Sequence, residues 1–242
     1  MPDKGGAFLD DLPPIAAGHY QVFADIVRVS GFPDTLSAQI DIPEIAGKPL
    51  SGDDSTASAP PISTDSQSPK EASGASAKDT GSAKDTKDAQ ANLISSLPDG
   101  TRMIWERAPG PLPANQLLWF KFRLEDTNGK SVANVEPYMG MAGHAEFVRS
   151  DLSVFAHVHP DGSVPMAAVQ LADATLAKNA AIPASSNPPT TTEMNMPGMV
   201  MGPIGAEVSF PYGFPKPGLY RIFVQVKYNG RVETGVFDAQ VK

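Results

Sequence analysis

The 242-residue chain contains no cysteine and only four histidines. Without cysteine, disulfides, thiolate zinc sites and thiol catalysis are excluded together. Aromatic residues make up only 7% of the chain, whereas 24 prolines and 21 glycines supply many turns. That balance favours an all-β class over long helices. Side chains that bind metals or transfer protons are therefore scarce, and any chemistry is expected where the histidines gather.

Basic surface and long apolar runs are also missing. The chain has 19 Lys and Arg against 27 Asp and Glu, a net charge of −8, and shows no basic cluster. We therefore expect no nucleic-acid partner, because duplex binders carry a basic face. The chain has no run of 18 apolar residues, so the sequence predicts no membrane-spanning helix. The N-terminal sequence MPDKGGAFLDD lacks the basic start and apolar run of a signal peptide.

Residues 51–91 divide the chain into two unequal parts, 1–50 and 92–242. This tract is dominated by Ser, Ala, Thr, Asp, Lys and Pro, contains a single large apolar residue and repeats the sequence AKDT. It cannot bury enough apolar surface to offset the entropy of ordering. The composition predicts a disordered, low-complexity linker.

The two parts share a duplicated segment. GHYQVFADIVRVSGFPDTLSAQIDI near the N-terminus aligns with GLYRIFVQVKYNGRVETGVFDAQV near the C-terminus, with a one-residue slip towards the end. The matching pairs are Gly18 and Gly218, Tyr20 and Tyr220, Phe23 and Phe223, Ile26 and Val226, and Thr35 and Thr234. Both segments alternate as strands do, so we interpret them as an internal repeat.

Residues 1–50 then predict only the closing strands of a sandwich domain. Two or three strands alone are marginally stable in water. The chain could start inside a longer first domain, the strands could dock on the C-terminal domain, or they could pair with another chain. We favour the first explanation. The third explanation also predicts a partner: a second copy of the chain or an envelope protein would bind through these strands.

Residues 92–242 predict a complete antiparallel β-sandwich of immunoglobulin-like or cupredoxin-like type. About seven short alternating strands are separated by turn sequences, including Asn128–Gly129 and Asn229–Gly230. An insertion at 160–205 interrupts them. Within it, Pro165–Ala180 has apolar residues at helical spacing and predicts one helix.

Three of the four histidines, His144, His157 and His159, lie in GHAEFVRSDLSVFAHVHP. If a hairpin turns at Asp151–Leu152, His144 opposes His159, and all three imidazoles project from one face. Opposed Cβ atoms lie about 4.5–5.5 Å apart, close enough for imidazoles to share a metal. A slip of one residue would destroy this arrangement.

Methionines extend the candidate metal site. Thioethers favour Cu(I), whereas imidazole suits Cu(II), zinc and nickel, so histidine and methionine without cysteine indicate copper. The alternative for each methionine is core packing. The candidate helper ligands are Met139, Met141, Met194, Met196, Met199 and Met201.

Catalysis has little support in the sequence. The chain contains no G-x-S-x-G, H-E-x-x-H or P-loop motif. We therefore predict a non-enzymatic metal-binding module. The alternatives are a structural or protein-interaction sandwich in which the histidines are incidental and, less favoured, a copper-dependent redox enzyme.

The C-terminal part resembles the YtkA-like domains of exported bacterial proteins, which are similar in architecture to the copper-resistance CopC family. The resemblance rests on GHAEFVRSDLSVFAHVHPDG and FPYGFPKPGLYRIFVQVKYNGRVETGVF, while FLDDLPPIAAGHYQVFADIV resembles the closing half of such a domain. It implies an immunoglobulin-like sandwich, an extracytoplasmic setting (periplasmic, secreted or membrane-associated) and a role in metal handling.

Overall fold

A computed structural model describes residues 12–30, 33–50, 52–57, 59–60, 62, 93–133, 135–160 and 204–242. These residues form eleven strands and no helix, which confirms the all-β prediction. The predicted helix at 165–180 and most of the 160–205 insertion lie outside the described residues, so the helical insertion is not borne out. Within the described ranges, no helix long and apolar enough to cross a membrane is found.

The chain divides into two compact units, and the first contains a β-hairpin. Strands β1 (Gly18–Val27) and β2 (Pro33–Ile42) pair antiparallel. A bridge between Ile15 and Ile45 extends the hairpin beyond its open end.

The second unit is a sandwich-like arrangement of two antiparallel sheets. The four-stranded sheet has the order β3 (Ile94–Ser96), β4 (Arg102–Trp105), β5 (Leu118–Glu125), β9 (Glu207–Tyr212). The five-stranded sheet has the order β11 (Arg231–Val241), β10 (Gly218–Tyr228), β7 (His144–Arg149), β8 (Phe155–Val158), and β6 (Val135–Glu136) also pairs with β10.

Alternation along the strands of both sheets supplies the core of the second unit. On β5, Phe120, Phe122 and Leu124 are buried while Trp119 and Lys121 are exposed. Across the core, the rings of Phe120 and Phe147 meet edge to face with centroids 4.9 Å apart, which joins β5 to β7. Each fully buried side chain of this size contributes about 1.5–3 kcal/mol. The core therefore fixes which face of β7 points inward.

The two hairpins of the predicted repeat have equivalent pairings. Gly18 pairs with Ile42 as Gly218 pairs with Val241, and Asp25 pairs with Thr35 as Gln225 pairs with Thr234. The one-residue slip predicted from the alignment falls between equivalent pairs at the closed ends: five residues separate Val27 from Pro33, and four separate Lys227 from Val232. That residues 1–50 are part of a larger domain of the same kind stays a prediction.

A tyrosine in the same position of each hairpin makes the same local bond. The hydroxyl of Tyr220 donates to the carbonyl of Lys216 at 2.8 Å, and that of Tyr20 donates to the carbonyl of Ala16 at 2.7 Å. Each bond ties the first strand of a hairpin to the proline-rich segment before it. The repeat therefore extends to side-chain hydrogen bonding.

Candidate metal centre

The turn between β7 and β8 sets the positions of the candidate ligands. The amide of Arg149 donates to the carbonyl of Val154 at 2.9 Å, and that of Leu152 donates to the carbonyl of Arg149 at 2.8 Å. Leu152 has a positive φ of 60°, which the tight reversal requires. Hydrogen bonds from Ser153, together with the Arg149 guanidinium, lower the pKa of Asp151 from 3.8 to about 2. The turn lies at Asp151–Leu152, as the sequence predicts.

The pairing that follows from this turn confirms the predicted register. Glu146 pairs with His157, Phe147 with Ala156 and Ala145 with Val158. Ala145 and Phe147 are fully buried in the core, as is nearly all of Val158. Because neighbouring side chains on a strand alternate faces, His144 and His157 point away from that core. Extending the same register by one residue sets His159 opposite His144, and the two ring centroids lie 4.8 Å apart.

The three imidazoles converge on one point. Ring centroids lie 5.1 Å apart for His144 and His157, 4.8 Å for His144 and His159, and 4.7 Å for His157 and His159. One nitrogen from each ring lies within 4.8 Å of the other two. His144 and His159 are only 3% and 4% exposed, and His157 is half-buried. The group is a compact nitrogen cluster largely shielded from water.

A tight turn just before β7 covers His144. The amide of Tyr138 donates to the carbonyl of Met141 at 2.7 Å, and the reciprocal bond is 3.0 Å. Met139 and Gly140 at its centre both have positive φ, 49° and 84°, as in a type I′ turn. The Tyr138 ring is buried, with its centroid 4.8 Å from that of His144. This turn forms one wall of the cluster.

Hydrogen bonds decide the tautomer of His144. Its Nε2 lies 3.0 Å from the carbonyl oxygen of Tyr138, and its Nδ1 lies 2.9 Å from Nε2 of His157. A carbonyl oxygen only accepts, so Nε2 of His144 carries a hydrogen. In the neutral ring, Nδ1 then has a lone pair, and it accepts from Nε2–H of His157. Residue spacing in the sequence does not reveal this role of a main-chain carbonyl.

Polar neighbours on the same face were not singled out as site residues from the sequence. Gln225 on β10 pairs with His144, so the two side chains share a face. Its Nε2 donates to Oγ of Ser55 at 2.8 Å, and that Oγ lies 2.8 Å from Oγ1 of Thr234. Glu146 on β7 is directly opposite His157. The long-range contact with Ser55 has no sequence signal.

The predicted methionine ligands lie in different environments. Met141 is buried at 4% exposure, on the loop that also carries Tyr138. Met139 is 56% exposed at the turn. Met194, Met196, Met199 and Met201 lie outside the described residues. Of the two predicted methionine ligands that the structure describes, Met141 is therefore the better candidate for a fourth ligand.

Comparison with known proteins gives a family. Residues 96–242 match a family described as a domain of unknown function, DUF8832, over more than half of the chain. The chain belongs to this family. No curated protein and no solved structure matches it. The matched region contains all three clustered histidines and, apart from the first two residues of β3, every strand of the two sheets.

Proposed function

We propose that the DUF8832 domain of this chain is a non-enzymatic metal-binding module and that the ion is copper. His144, His157 and His159 are the proposed ligands. The observation that carries the proposal is their convergence, with one nitrogen from each ring inside a 4.8 Å limit. Histidines at such distances on a shielded face suit an ion that takes neutral nitrogen ligands.

Small ring movements would complete such a site. Metal–nitrogen bonds of about 2.0–2.1 Å place two nitrogens on one ion at most about 4 Å apart. The widest separation in the cluster, up to 4.8 Å, must shrink slightly, and the hydrogen-bonded pair at 2.9 Å must open slightly. Both changes lie within the reach of side-chain rotation and need no change of strand register.

The ligand chemistry favours copper over other ions. Calcium and magnesium prefer oxygen ligands, and the cluster offers three imidazoles instead. Imidazole alone suits zinc, nickel and copper alike. A buried thioether, Met141, on the adjoining loop favours copper among them, because thioethers bind Cu(I). We also propose, from the YtkA-like resemblance of GHAEFVRSDLSVFAHVHPDG, that the module handles metal in a bacterial cell envelope.

A second candidate function is a structural or protein-interaction sandwich without metal. A specific observation favours it: His157 donates to His144, and His144 donates to Tyr138, so the cluster forms a hydrogen-bonded chain by itself. Buried polar groups that satisfy one another in this way stabilise a unique packing. In that case the histidines hold the loop 138–143 against β7.

The redox-enzyme alternative would need a substrate cleft beside the cluster. One groove, of about 290 Å³, is lined by Trp105, Arg107, Asp238 and Lys242 among others, and none of the three histidines lines it. This groove therefore gives the enzyme reading no support.

Metal titration of the purified full chain tests the proposal. Cu(I), Cu(II) and Zn(II) would each be titrated against a competing chelator, for the wild type and a variant with His144, His157 and His159 all changed to Ala. His19→Ala is the matched control, because His19 is an exposed histidine of the other unit. We expect one tight site in the wild type and the control and none in the triple variant. Equal affinities in all three proteins would overturn the proposal and favour the metal-free alternative.

The copper assignment has its own test. Met141→Leu keeps an apolar side chain of similar volume but removes the thioether. We expect weaker Cu(I) binding with unchanged Zn(II) binding. Met139→Leu, at the exposed turn position, serves as the control and should change neither. Loss of Zn(II) binding in Met141→Leu would show a packing role, and unchanged Cu(I) binding would remove the thioether argument for copper.

A further inference from the structure

We infer that His144 binds the ion through Nδ1, and that the main-chain carbonyl of Tyr138 is the positioning group that leaves Nδ1 as the ligand. This inference rests on the proposed function and deepens it, because it names the ligating atom and the group that selects it. A histidine can bind a metal through either ring nitrogen, and the hydrogen bond made by the other nitrogen decides between them.

The first step is the occupied nitrogen. Nε2 of His144 lies 3.0 Å from the Tyr138 oxygen, and both residues are buried, at 3% and 5% exposure. A metal on Nε2 would remove the hydrogen of this bond and leave a buried carbonyl oxygen without that partner. The buried oxygen would keep only the bond from the Met141 amide, at 3.0 Å. Because losing one of its two hydrogen bonds is unfavourable, the bond holds the hydrogen on Nε2.

The second step is the rigidity of the carbonyl. Two reciprocal main-chain bonds close the turn from Tyr138 to Met141, and both central residues have positive φ. Glycine adopts such a φ without strain, whereas a β-branched residue does not. Gly140, with φ of 84°, therefore lets the turn keep the Tyr138 carbonyl aimed at His144.

The third step is the direction of the remaining nitrogen. Nδ1 of His144 points at Nε2 of His157, 2.9 Å away, and the ring of His159 stands edge-on to that of His144 at 4.8 Å. The lone pair of Nδ1 is therefore directed into the space that the three rings share. An ion there takes the place of the hydrogen between His144 and His157. That proton leaves Nε2 of His157 to solvent while Nδ1 of the same ring takes one up, so the ring stays neutral, and the bond from His144 to Tyr138 remains intact.

Nuclear magnetic resonance of the full chain, with ¹⁵N-labelled histidine, tests the inference. Long-range ¹H–¹⁵N correlation distinguishes the protonated ring nitrogen from the bare one. We expect His144 to carry its hydrogen on Nε2 before metal is added. On titration with Zn²⁺, a diamagnetic probe, its Nδ1 resonance should shift while Nε2–H persists.

Each other outcome has a distinct meaning. Zn²⁺ could shift the nitrogens of His157 and His159 together with Nε2 of His144, or shift those of His157 and His159 while both nitrogens of His144 stay unchanged. Either result overturns the ligating-atom inference and leaves the proposed metal site standing. If neither Zn²⁺ nor Cu(I) shifts any of the three rings, the proposed function fails, and the inference fails with it.

A turn variant tests the positioning role. Gly140→Val strains the turn that aims the Tyr138 carbonyl, and Gly230→Val strains a similar turn of the same sheet, where Asn229 and Gly230 have φ of 50° and 72°. We expect Gly140→Val to show mixed His144 tautomers and Zn²⁺ affinity lower by about 10–100-fold, as for other outer partners of a metal-bound histidine. Gly230→Val should keep the wild-type tautomer and affinity. If Gly140→Val folds and both its His144 tautomer and its Zn²⁺ affinity are unchanged, the positioning role is overturned. If Gly140→Val fails to fold, the His144 tautomer of the wild type and its response to Zn²⁺ decide the inference.

Discussion

Nδ1 of His144 lies 2.9 Å from Nε2 of His157, although the two residues are 13 positions apart in the chain. The β7–β8 hairpin makes this contact possible, because it places both residues on the face that points away from the aromatic core. His159 completes the cluster by falling opposite His144. The proposed centre thus depends on one turn and on one buried face.

The first prediction concerns a single ligand. His159→Gln keeps a polar side chain of similar length but lacks the imidazole. We expect copper affinity to fall by more than the roughly 10–100-fold loss that follows removal of an outer hydrogen-bond partner. Competition titration would measure this, with His19→Gln as the control. An affinity within a few-fold of the wild type would exclude His159 as a ligand.

The second prediction concerns stability in the presence of metal. An ion that binds only the folded state at 100 times its Kd stabilises by about 2.7 kcal/mol. For a domain of this size class, that corresponds to a rise in Tm of about 5–10 °C. Calorimetry with and without copper would measure the rise, which the triple-alanine variant should not show. An equal rise in both proteins would indicate binding elsewhere.

The third prediction concerns acid stability at the turn. The folded-state pKa of Asp151, about 2, is below its usual 3.8, so its stabilising effect is complete above about pH 4 and is lost as pH falls towards 2. Asp151→Asn should therefore be less stable than the wild type at neutral pH, with the difference shrinking between about pH 4 and pH 2. Urea unfolding across that range would measure it. A difference that stays constant with pH would contradict the role of the Asp151 carboxylate.

The fourth prediction compares the repeated tyrosines. Tyr220→Phe removes a hydrogen bond from a hydroxyl that is partly buried, and burial raises its pKa. We expect a loss of about 0.5–1.5 kcal/mol in the free energy of unfolding. Tyr20→Phe removes the equivalent exposed bond and should cost less than about 0.5 kcal/mol. Denaturant unfolding would measure both, and equal costs would show that burial does not set the value of this bond.

Much of the site could be predicted because it is local. The Asp151–Leu152 turn, the pairing of Glu146 with His157 and the inward direction of Phe147 all follow from strand alternation within a single hairpin. The equivalent pairings of the repeated hairpins were also readable, because Gly18 and Gly218 begin alternating segments of the same pattern. The alternation of apolar and polar residues with a period of two indicates both the register and the buried face, and it depends only on neighbouring residues.

The remainder could not be predicted because it depends on contacts that periodicity does not encode. Nothing in YMGMAGH indicates that the Tyr138 carbonyl meets His144, that Met141 is buried or that Met139 is exposed. The approach of Ser55 to Gln225, 170 positions away, is equally absent from local pattern.

The sequence by itself determined the all-β class, the hairpin register and the gathering of three histidines on one face, because each follows from alternation and turn chemistry in neighbouring residues. Only the tertiary structure decided that His144 and His159 are buried and which nitrogen of His144 carries the hydrogen. Burial and tautomer depend on what packs over the hairpin, and that packing is set by the turn from Tyr138 to Met141 rather than by the strands themselves.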